Sequence, residues 1–539
     1  MTTNSHPVRR TVRITALALG AALALTACAG GGAGKTSTAA ATGNEVAKVT
    51  IGVQSPPRSM DIAHASDYPS ERAIDAAFDR VLALDNAGKV VPWLAESWQN
   101  PDPLTYVFTL RQGVTFWDGS PLTADDVVFS LQRHLDPKLG SEVAGKFADV
   151  KAIAATDGRT VTVTLGKPSA SFLYNAAIQW TVLEKKYAEA AGADLGTPAK
   201  PGMGTGPYSI DSYSSSDGVT LTRFDGYWGA KPKIKTLVIK AIADPEAARL
   251  ALLSHDIDGY FDVPLIASRK YDKLDGVSMT YADGSYVDLL SMNAKVAPFD
   301  DPKVREALAH LVDRQGLNGP LFNERAKLST SIVPAGQLEA RLGAAGAKSV
   351  LDKLPKVPAF DVAAAKAALA ASGHPGGFTA TVNVDKSQPW MLPLAQNLAE
   401  NAKQLGITIT PNAVSSATWA TGLSAKDRGP LQLVALGATS PDIAVLPGLI
   451  LGDGGSNVSQ LTSPELVDQL ATLRGTTDPA KVAAAVEPVL AAPLSSLAYL
   501  PLFDEQAAFA LNKDLVWADG GYSTWSLGQV WPLSIRSTK

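Results

Sequence analysis

The sequence predicts a mixed α/β fold in which strands and amphipathic helices alternate along the chain. Residues Thr160–Leu165 alternate polar and apolar side chains with the period of two that is typical of a half-buried strand. Phe378–Val384, Trp390–Leu405 and Ile407–Pro411 read as a strand, a helix and a strand, and Gly406 ends the helix. Such a succession is typical of sheets that are covered by helices.

The same alternation extends over most of the chain. Further strands are predicted at Lys48–Val53, Val219–Arg223, Lys235–Ile242, Ile257–Phe261 and Ala498–Phe503. Further helices are predicted at Ser70–Leu84, Asp244–Leu253, Asp361–Ser372, Ser463–Leu473 and Pro479–Leu490.

Length and composition describe a large globular protein. At about 150 residues per domain, 539 residues correspond to three or four domain-sized units, enough for a well-buried core. Lys and Arg number 48 against 52 Asp and Glu, so the net charge of −4 offers no basic excess for nucleic acid. A single cysteine excludes an intrachain disulfide framework.

The N-terminus has the features of an export signal. Arg9, Arg10 and Arg13 precede the apolar run Ile14–Ala27, which is too short for a comfortable transmembrane helix. The run ends in Leu-Thr-Ala before Cys28, which matches the bacterial lipobox, in which the cysteine is diacylated. We therefore expect residues 1–27 to be removed and Cys28 to be lipidated, which changes the net charge from −4 to −7. The alternatives are a plain secretory signal with a chance cysteine and, from the paired arginines, twin-arginine export.

The residues that follow predict a tether. Gly30–Asn44 is small, polar and low in complexity, so residues 28–46 are expected to form a flexible link between the anchor and the folded part. No second hydrophobic run of membrane-spanning length follows in the sequence.

The most distinctive segment is residues 90–133. Leu104–Arg111 has the alternation and the residue types of a strand, and Asp118-Gly119 is a turn signal. Thr123 followed by Asp126 predicts a helix start with the acidic form of a capping box. The bulky side chains that this segment is expected to bury are Trp93, Trp98, Phe108, Phe116 and Trp117.

This segment resembles the signature region of family 5 bacterial solute-binding proteins, the oligopeptide-, dipeptide- and nickel-binding class that serves ABC importers. The matching residues include Pro92, Leu94, Glu96, Trp98, Tyr106, Phe108, Arg111, Gly113, Phe116, Asp118, Gly119, Thr123, Asp126 and Phe129. Gly204–Tyr208 (GTGPY) and Asn293–Arg314 resemble two further segments of the family, the second with Asp301 and Pro302 at a helix start.

The resemblance implies a two-lobed periplasmic-binding-protein-like α/β fold of class II, cluster C type. It implies a hinge between a first lobe at 47–285, carrying an inserted subdomain at about 81–185, and a second lobe at 286–497. Residues 498–539 are expected to return to the first lobe.

The same resemblance implies a function without a chemical step. A monomer captures a small solute, most readily an oligopeptide, dipeptide or peptide-like molecule, by lobe closure outside the cytoplasmic membrane. It delivers the solute to an ABC permease with its cytoplasmic ATPase. The alternatives are a sensor or scaffold lipoprotein that is not coupled to transport, and a receptor for a sugar, an opine or a chelated metal.

Motifs of enzymes and metal sites are missing from the sequence. The patterns G-x-S-x-G, S-x-x-K and H-E-x-x-H do not occur, and the six histidines are scattered without metal-ligand spacing. The acid pairs at 125–126 and 300–301 lie at predicted helix starts, where the helix dipole accounts for them. We therefore expect neither catalysis nor a cofactor.

The resemblance also indicates where a ligand would bind. The candidates are the loop after the first strand, the lobe crossover, a tryptophan after a second-lobe strand, and the segment Leu436–Ile443. By residue these are Ser55, Pro57, Arg58, Tyr286, Asn293, Trp419, Thr439 and Asp442.

The segment Leu436–Ile443 departs from its family in a way that bears on specificity. In peptide-binding members an aspartate at the position of Thr439 pairs with the α-ammonium of the peptide. A hydroxyl in its place loses a charge-assisted hydrogen bond of a few kcal/mol. We therefore expect that this chain does not hold an α-ammonium in the family's usual way. Either Asp442 or an acid of the first lobe replaces that charge, or the ligand differs; turn and helix-cap chemistry is the competing role for Asp442.

Overall fold

The computed structural model describes residues 44–424, 429–438, 440–518 and 531–539. The predicted signal sequence, Cys28, most of the tether and Thr439 lie outside the described residues. Within those residues no helix is long and apolar enough to cross a membrane.

The chain alternates strands and helices as predicted. The strands are β1 Val46–Val53, β2 Leu82–Leu84, β3 Val90–Pro92, β4 Ala95–Asp102, β5 Thr105–Leu110, β6 Val150–Ala155, β7 Thr160–Leu165, β8 Tyr208–Ser214, β9 Gly218–Arg223, β10 Ile234–Ala241, β11 Gly259–Tyr260, β12 Val277–Met292, β13 Ala326–Leu328, β14 Thr379–Asp385, β15 Thr408–Val414, β16 Leu431–Gly437, β17 Tyr499–Asn512, β18 Leu515–Trp517 and β19 Ile535–Ser537.

The helices are α1 Tyr68–Ala77, α2 Ala124–Leu135, α3 Phe172–Ile178, α4 Lys185–Ala191, α5 Pro245–Leu253, α6 Ser268–Asp272, α7 Pro302–Ala309, α8 Arg314–Phe322, α9 Ala335–Lys353, α10 Val362–Ala370, α11 Met391–Lys403, α12 Ser416–Ser424, α13 Val445–Ile450, α14 Pro464–Gly475 and α15 Pro479–Ser496.

One large sheet runs through the molecule in the order β15-β14-β16-β12-β17-β11-β1-β10-β9-β8, with β13 added on β17. The long strands β12 and β17 pair antiparallel at its centre, and their register shifts between Asp283 and Val287. On one side of this pair β11, β1 and β10 are parallel, and on the other side β16, β14 and β15 are parallel. Two parallel half-sheets are therefore joined through one irregular antiparallel crossing.

A second sheet, β4-β5-β7-β6, contains the signature segment. Helix α2 begins as predicted, because the Thr123 side chain accepts from the main chain of Asp126 and the Asp126 side chain accepts from the main-chain N–H of Thr123. Phe108 and Phe116 are fully buried, whereas Trp93, Trp98 and Trp117 are partly buried against the same core. The acidic residues Asp126 and Asp301 both cap helices, as the sequence predicts.

The predicted helix over Ser70–Leu84 is wrong in its second half. Helix α1 ends at Ala77, Phe78 has extended backbone angles, and Leu82–Leu84 forms strand β2 paired with β3. The continuous apolar pattern of the segment does not distinguish these two structures. The tertiary contacts of Asp79 require the extended form.

Asp79 is a fully buried carboxylate that accepts four hydrogen bonds. The indole N–H groups of Trp93 and Trp228 donate over 2.7 and 2.9 Å, the Thr205 hydroxyl over 2.9 Å and the Tyr227 hydroxyl over 3.2 Å. None of these donors is a cation, and burial raises the pKa of Asp79. This carboxylate therefore joins the end of α1 to the signature segment, to the GTGPY turn and to the loop after β9.

Replacing Asp79 by alanine is expected to lower the free energy of unfolding by about 3 kcal/mol or more, because four buried donors lose their acceptor. Urea unfolding followed by tryptophan fluorescence measures this change. The matched control is Asp211→Asn, an exposed residue of β8, which should shift stability by no more than about 0.5 kcal/mol. Equal stability of the two variants would contradict a central role for Asp79.

Candidate functional site

A cleft of about 670 Å³ lies where the two parallel half-sheets meet. One wall is formed by residues that follow β1, β10 and β11 and by helix α1, and the other by residues after β14 and at the ends of α8 and β16. The lining residues include Gln54, Tyr68, Arg72, Ala243, Asp262–Ala267, Gly284–Tyr286, Phe322, Lys386–Trp390, Ala435 and Glu505–Ala508.

The position of the cleft follows from strand direction. In parallel sheets the loops after the carboxyl ends of neighbouring strands converge, and ligands bind in the crevice that they leave. Gln54 follows β1, Asp262 follows β11, and Lys386 follows β14. Both half-sheets therefore contribute their carboxyl ends to the same cavity, and the volume is in the range of small-molecule sites.

Aromatic side chains supply much of the apolar surface. The rings of Tyr68 and Tyr286 lie 6.2 Å apart, and the Tyr68 hydroxyl is 3.5 Å from the Ser285 hydroxyl. Gly437 pairs with Tyr286 in register, and a Cβ added at Gly437 would lie 2.7 Å from the tyrosine ring. Burial raises the pKa of both tyrosines, so they remain neutral hydroxyl groups at physiological pH.

Charged side chains of both signs line the cleft. The Arg72 guanidinium lies over the rings of Tyr68 and Phe261 at 5.1 and 5.5 Å and is 3.8 Å from the Asp75 carboxylate. Lys386 is exposed at the opposite wall. The acids of the lining are Asp262 and Glu505, and burial raises the pKa of each, that of Glu505 to about 7. Within the described lining, cations and acids balance.

Glu505 belongs to a group of acids at the crossing of β12 and β17. Asp288 is fully buried, no donor within the described chain contacts its oxygens, and its own protonated carboxyl donates to the neighbouring carboxylate of Glu505. A hydrogen bond between two carboxyls requires a proton on one of them. Burial and this neighbour raise the pKa of Asp288 well above its usual value, and burial raises that of Asp504 to about 7.

The residues predicted from the loop after β1 lie away from the cavity lining. Ser55 is exposed, and the Pro57 carbonyl accepts a hydrogen bond from the Tyr213 hydroxyl at 2.9 Å. Arg58 donates to Asp67 and makes a two-pronged contact with Glu142. From this loop the cavity receives Gln54 instead.

Of the residues predicted in the second half of the chain, Tyr286 lines the cleft, whereas Asn293, Trp419 and Asp442 are not part of the described lining. Asn293 is fully buried, with its side-chain oxygen accepting from the main chain of Lys295, and the Trp419 indole donates to the Leu433 carbonyl. Asp442 is buried, accepting from the Ser171 hydroxyl and from the main chain of Ala444. The ligand contacts predicted for all these residues stay predictions.

Arg72, Asp262, Trp390 and Glu505 line the cleft but are not among the residues predicted from the sequence. A usable signal existed for Asp262, which directly follows the predicted strand Ile257–Phe261. No such signal existed for Arg72, because helical periodicity does not say which face of α1 meets a cavity.

Comparison with known proteins identifies the family. The sequence pattern described as "Bacterial extracellular solute-binding proteins, family 5 Middle" matches residues 89–457. The chain belongs to this family. The resemblance of the signature segment is thereby confirmed, and so is the role of a solute-binding protein of an ABC importer. The family acts outside the cytoplasm, and its matched relatives are named as binding proteins, not enzymes.

Individual relatives agree with this assignment. The glutathione-binding protein GsiB of Shigella flexneri is 27% identical over 376 residues, covering 68% of this chain and 70% of the relative. The structure of the ABC transporter substrate-binding protein CtaP of Listeria monocytogenes has a TM-score of 0.79 and 23% identity, covering 92% of this chain and 100% of the other. DppA of Helicobacter pylori, in complex with the peptide STSA, has a TM-score of 0.76 and 20% identity, covering 92% and 99%. The predicted two-lobed fold of this family is confirmed by these structures.

The acids at the strand crossing predict that this family 5 protein loses stability as the pH rises. Asp504 and Glu505 have pKa values raised to about 7, so between about pH 4 and 7 the folded state binds more protons than the unfolded state. Stability is therefore greatest in mildly acidic solution and falls as the pH rises through about 7. Thermal melts of the ligand-free protein should show a lower Tm at pH ~8 than at pH ~6.

The variant Asp288→Asn should reduce the fall in Tm between pH ~6 and pH ~8. It removes one buried carboxyl from the acids at the crossing, and asparagine has nearly the same shape as aspartate. The exposed Asp211→Asn should leave the pH dependence as in the wild type. A fall of the same size in Asp288→Asn and in the wild type would show that other groups cause it.

Proposed function

We propose that the cleft binds a small peptide-like zwitterion, which the protein captures outside the cytoplasmic membrane and presents to an ABC permease. The observation that carries this proposal is the combination of Arg72, Lys386, Asp262 and Glu505 with aromatic side chains in one cavity. A buried ligand needs partners for its charges, and a peptide carries an ammonium and a carboxylate together.

Two of the relatives have ligands of this class. GsiB is named for glutathione, and the DppA structure contains a tetrapeptide, STSA. A neutral sugar would leave the Asp262 carboxylate and the Lys386 ammonium, which have no ion pair within the described chain, without a charged partner, which is costly in a closed cavity. A peptide-like solute therefore fits the cleft better than the sugar alternative.

We infer that the two lobes, at 47–285 and 286–497 with a return at 498–539, close on the ligand by bending at the crossing of β12 and β17. The register shift between Asp283 and Val287 supports this inference, because a bulge interrupts the ladder and allows the strand to bend. The Ser171 hydroxyl donates to Asp442, and the Ala170 N–H donates to the Arg474 carbonyl. These contacts join the inserted subdomain, at about 81–185, to the second lobe.

We also propose that Cys28 is diacylated and anchors a monomeric protein through the tether at residues 28–46. Two acyl chains give stable membrane attachment, whereas one gives marginal binding. The protein then stays at the outer face of the membrane, next to the permease.

A mixed pool of di- to pentapeptides is expected to raise the melting temperature, because a ligand that binds only the folded state stabilises it. At a concentration of 100 times Kd the gain is about 2.7 kcal/mol. Differential scanning fluorimetry measures the shift, with pools of sugars, opines and chelated metals as matched comparisons. A shift with one of those pools and none with peptides would refute the peptide-like assignment.

Cys28→Ser is expected to move the protein from the membrane fraction to the soluble extracytoplasmic fraction, because the acyl acceptor is lost. Cell fractionation followed by immunoblotting measures the distribution. Lys35→Ala, in the tether, is the control and should fractionate as the wild type does. Membrane association of Cys28→Ser equal to that of the wild type would disprove the anchor.

A further inference from the structure

Asp262 occupies an unusual place on the cleft wall. It directly follows β11, and its backbone has φ 55°, a left-handed conformation that non-glycine residues rarely adopt, although Asp and Asn adopt it more readily than most. The Gln54 side chain donates to the Asp262 carbonyl at 2.8 Å, and the N–H of Val263 donates to the Ala508 carbonyl at 3.0 Å. The strained backbone is thus held from both sides, and such strain is common at ligand sites.

The carboxylate of Asp262 has no hydrogen-bond donor and no ion-pair partner within the described chain, and Arg72 acts on it only through the longer-range field. The two other acids that are candidates for binding a charged ligand, Glu505 and Asp442, both have protein partners. Glu505 lies against Asp288 and Trp390, and Asp442 accepts from Ser171 and Ala444.

We propose that Asp262 binds the ammonium group of the ligand. This inference rests on the proposed zwitterionic ligand and assigns one of its charges. The ligand ammonium then lies at the wall that follows β11. The resemblance to peptide-binding members implies a different place for it, at the segment Leu436–Ile443. An ammonium ion supplies donors to a half-buried carboxylate that has none from the described part of the chain.

The surroundings of Asp262 favour a cation. Tyr68 and Tyr286 both lie within its electrostatic influence. The Arg72 guanidinium already lies over the Tyr68 ring, so the Tyr286 ring is the one that attracts the ligand ammonium by cation–π interaction. On the opposite wall, the Lys386 ammonium has no ion pair within the described chain. The ligand is therefore oriented with its ammonium toward the first lobe and its anionic group toward Lys386.

The test uses the full-length mature protein and isothermal titration calorimetry. The probes are the di- to pentapeptide pool, its N-acetylated counterpart, and a panel of amines that are not peptides, comprising amino acids, polyamines and amino sugars. The variant is Asp262→Asn, since asparagine keeps the shape and tolerates the same φ. Asp275→Asn, an exposed acid in a turn before β12, is the matched control, and Glu505→Gln tests the other acid of the lining.

The expected result is a loss of affinity for free amines of about 10- to 100-fold in Asp262→Asn, because a charge-assisted hydrogen bond contributes about 1.5–3 kcal/mol. Asp275→Asn should bind as the wild type does. N-acetylated peptides should bind the wild type and Asp262→Asn with the same low affinity. Circular dichroism and the ligand-free Tm show that each variant folds.

The outcomes separate this inference from the proposed function. Binding of peptides with unchanged affinity in Asp262→Asn, or a loss confined to Glu505→Gln, overturns the role of Asp262 and leaves the peptide-like ligand intact. Binding of a non-peptide amine but no peptide, lost in Asp262→Asn, supports the role of Asp262 and overturns the peptide assignment. Absence of binding by every free amine overturns both.

Discussion

The buried carboxylate of Asp79 is the contact on which the position of helix α1, and with it one wall of the cleft, depends. Its four donors come from three separate segments of the chain: Trp93, Thr205, and the neighbouring pair Tyr227 and Trp228. A Cβ at Gly206 would lie 2.3 Å from the carbonyl of Ala77, so the GTGPY turn can pass the end of α1 only as glycine. Helix α1 is thereby fixed at its C-terminal end, and it carries Tyr68 and Arg72 into the cleft.

The second constraint is the crossing of β12 and β17. These two antiparallel strands join the two parallel half-sheets, and their register is interrupted between Asp283 and Val287. The carboxyl ends of both half-sheets meet at one crevice because the half-sheets are joined in this way. The same crossing places Asp288 beside Glu505, and burial disfavours the charged state of both. At neutral pH the folded protein is therefore less stable than it would be with apolar residues in place of these acids. The acids lie at the crossing where the proposed hinge bends and beside the proposed ligand site.

The charges of the cleft connect fold and specificity. The resemblance aligns Thr439 with the acid that it implies for peptide-binding members, and Asp442 is engaged with Ser171 and the main chain of Ala444. Asp262, on the other wall, has a carboxylate that no donor of the described residues contacts. The proposed role of Asp262 therefore places the ammonium-binding acid on the wall that follows β11, within the same large sheet.

The sequence by itself determined the features that depend on near neighbours in the chain. The capping box of Thr123 and Asp126, the start of α7 at Asp301 and Pro302, and the alternating strands β5 and β7 all rest on contacts or patterns within a few residues. The family could be predicted because residues 90–133 match its signature region at many positions in the same order. Only the tertiary structure decided that α1 ends at Ala77, because the donors of Asp79 come from distant segments. It alone also placed Arg72, Asp262, Lys386 and Glu505 around one cavity, because strands far apart in sequence bring these side chains together.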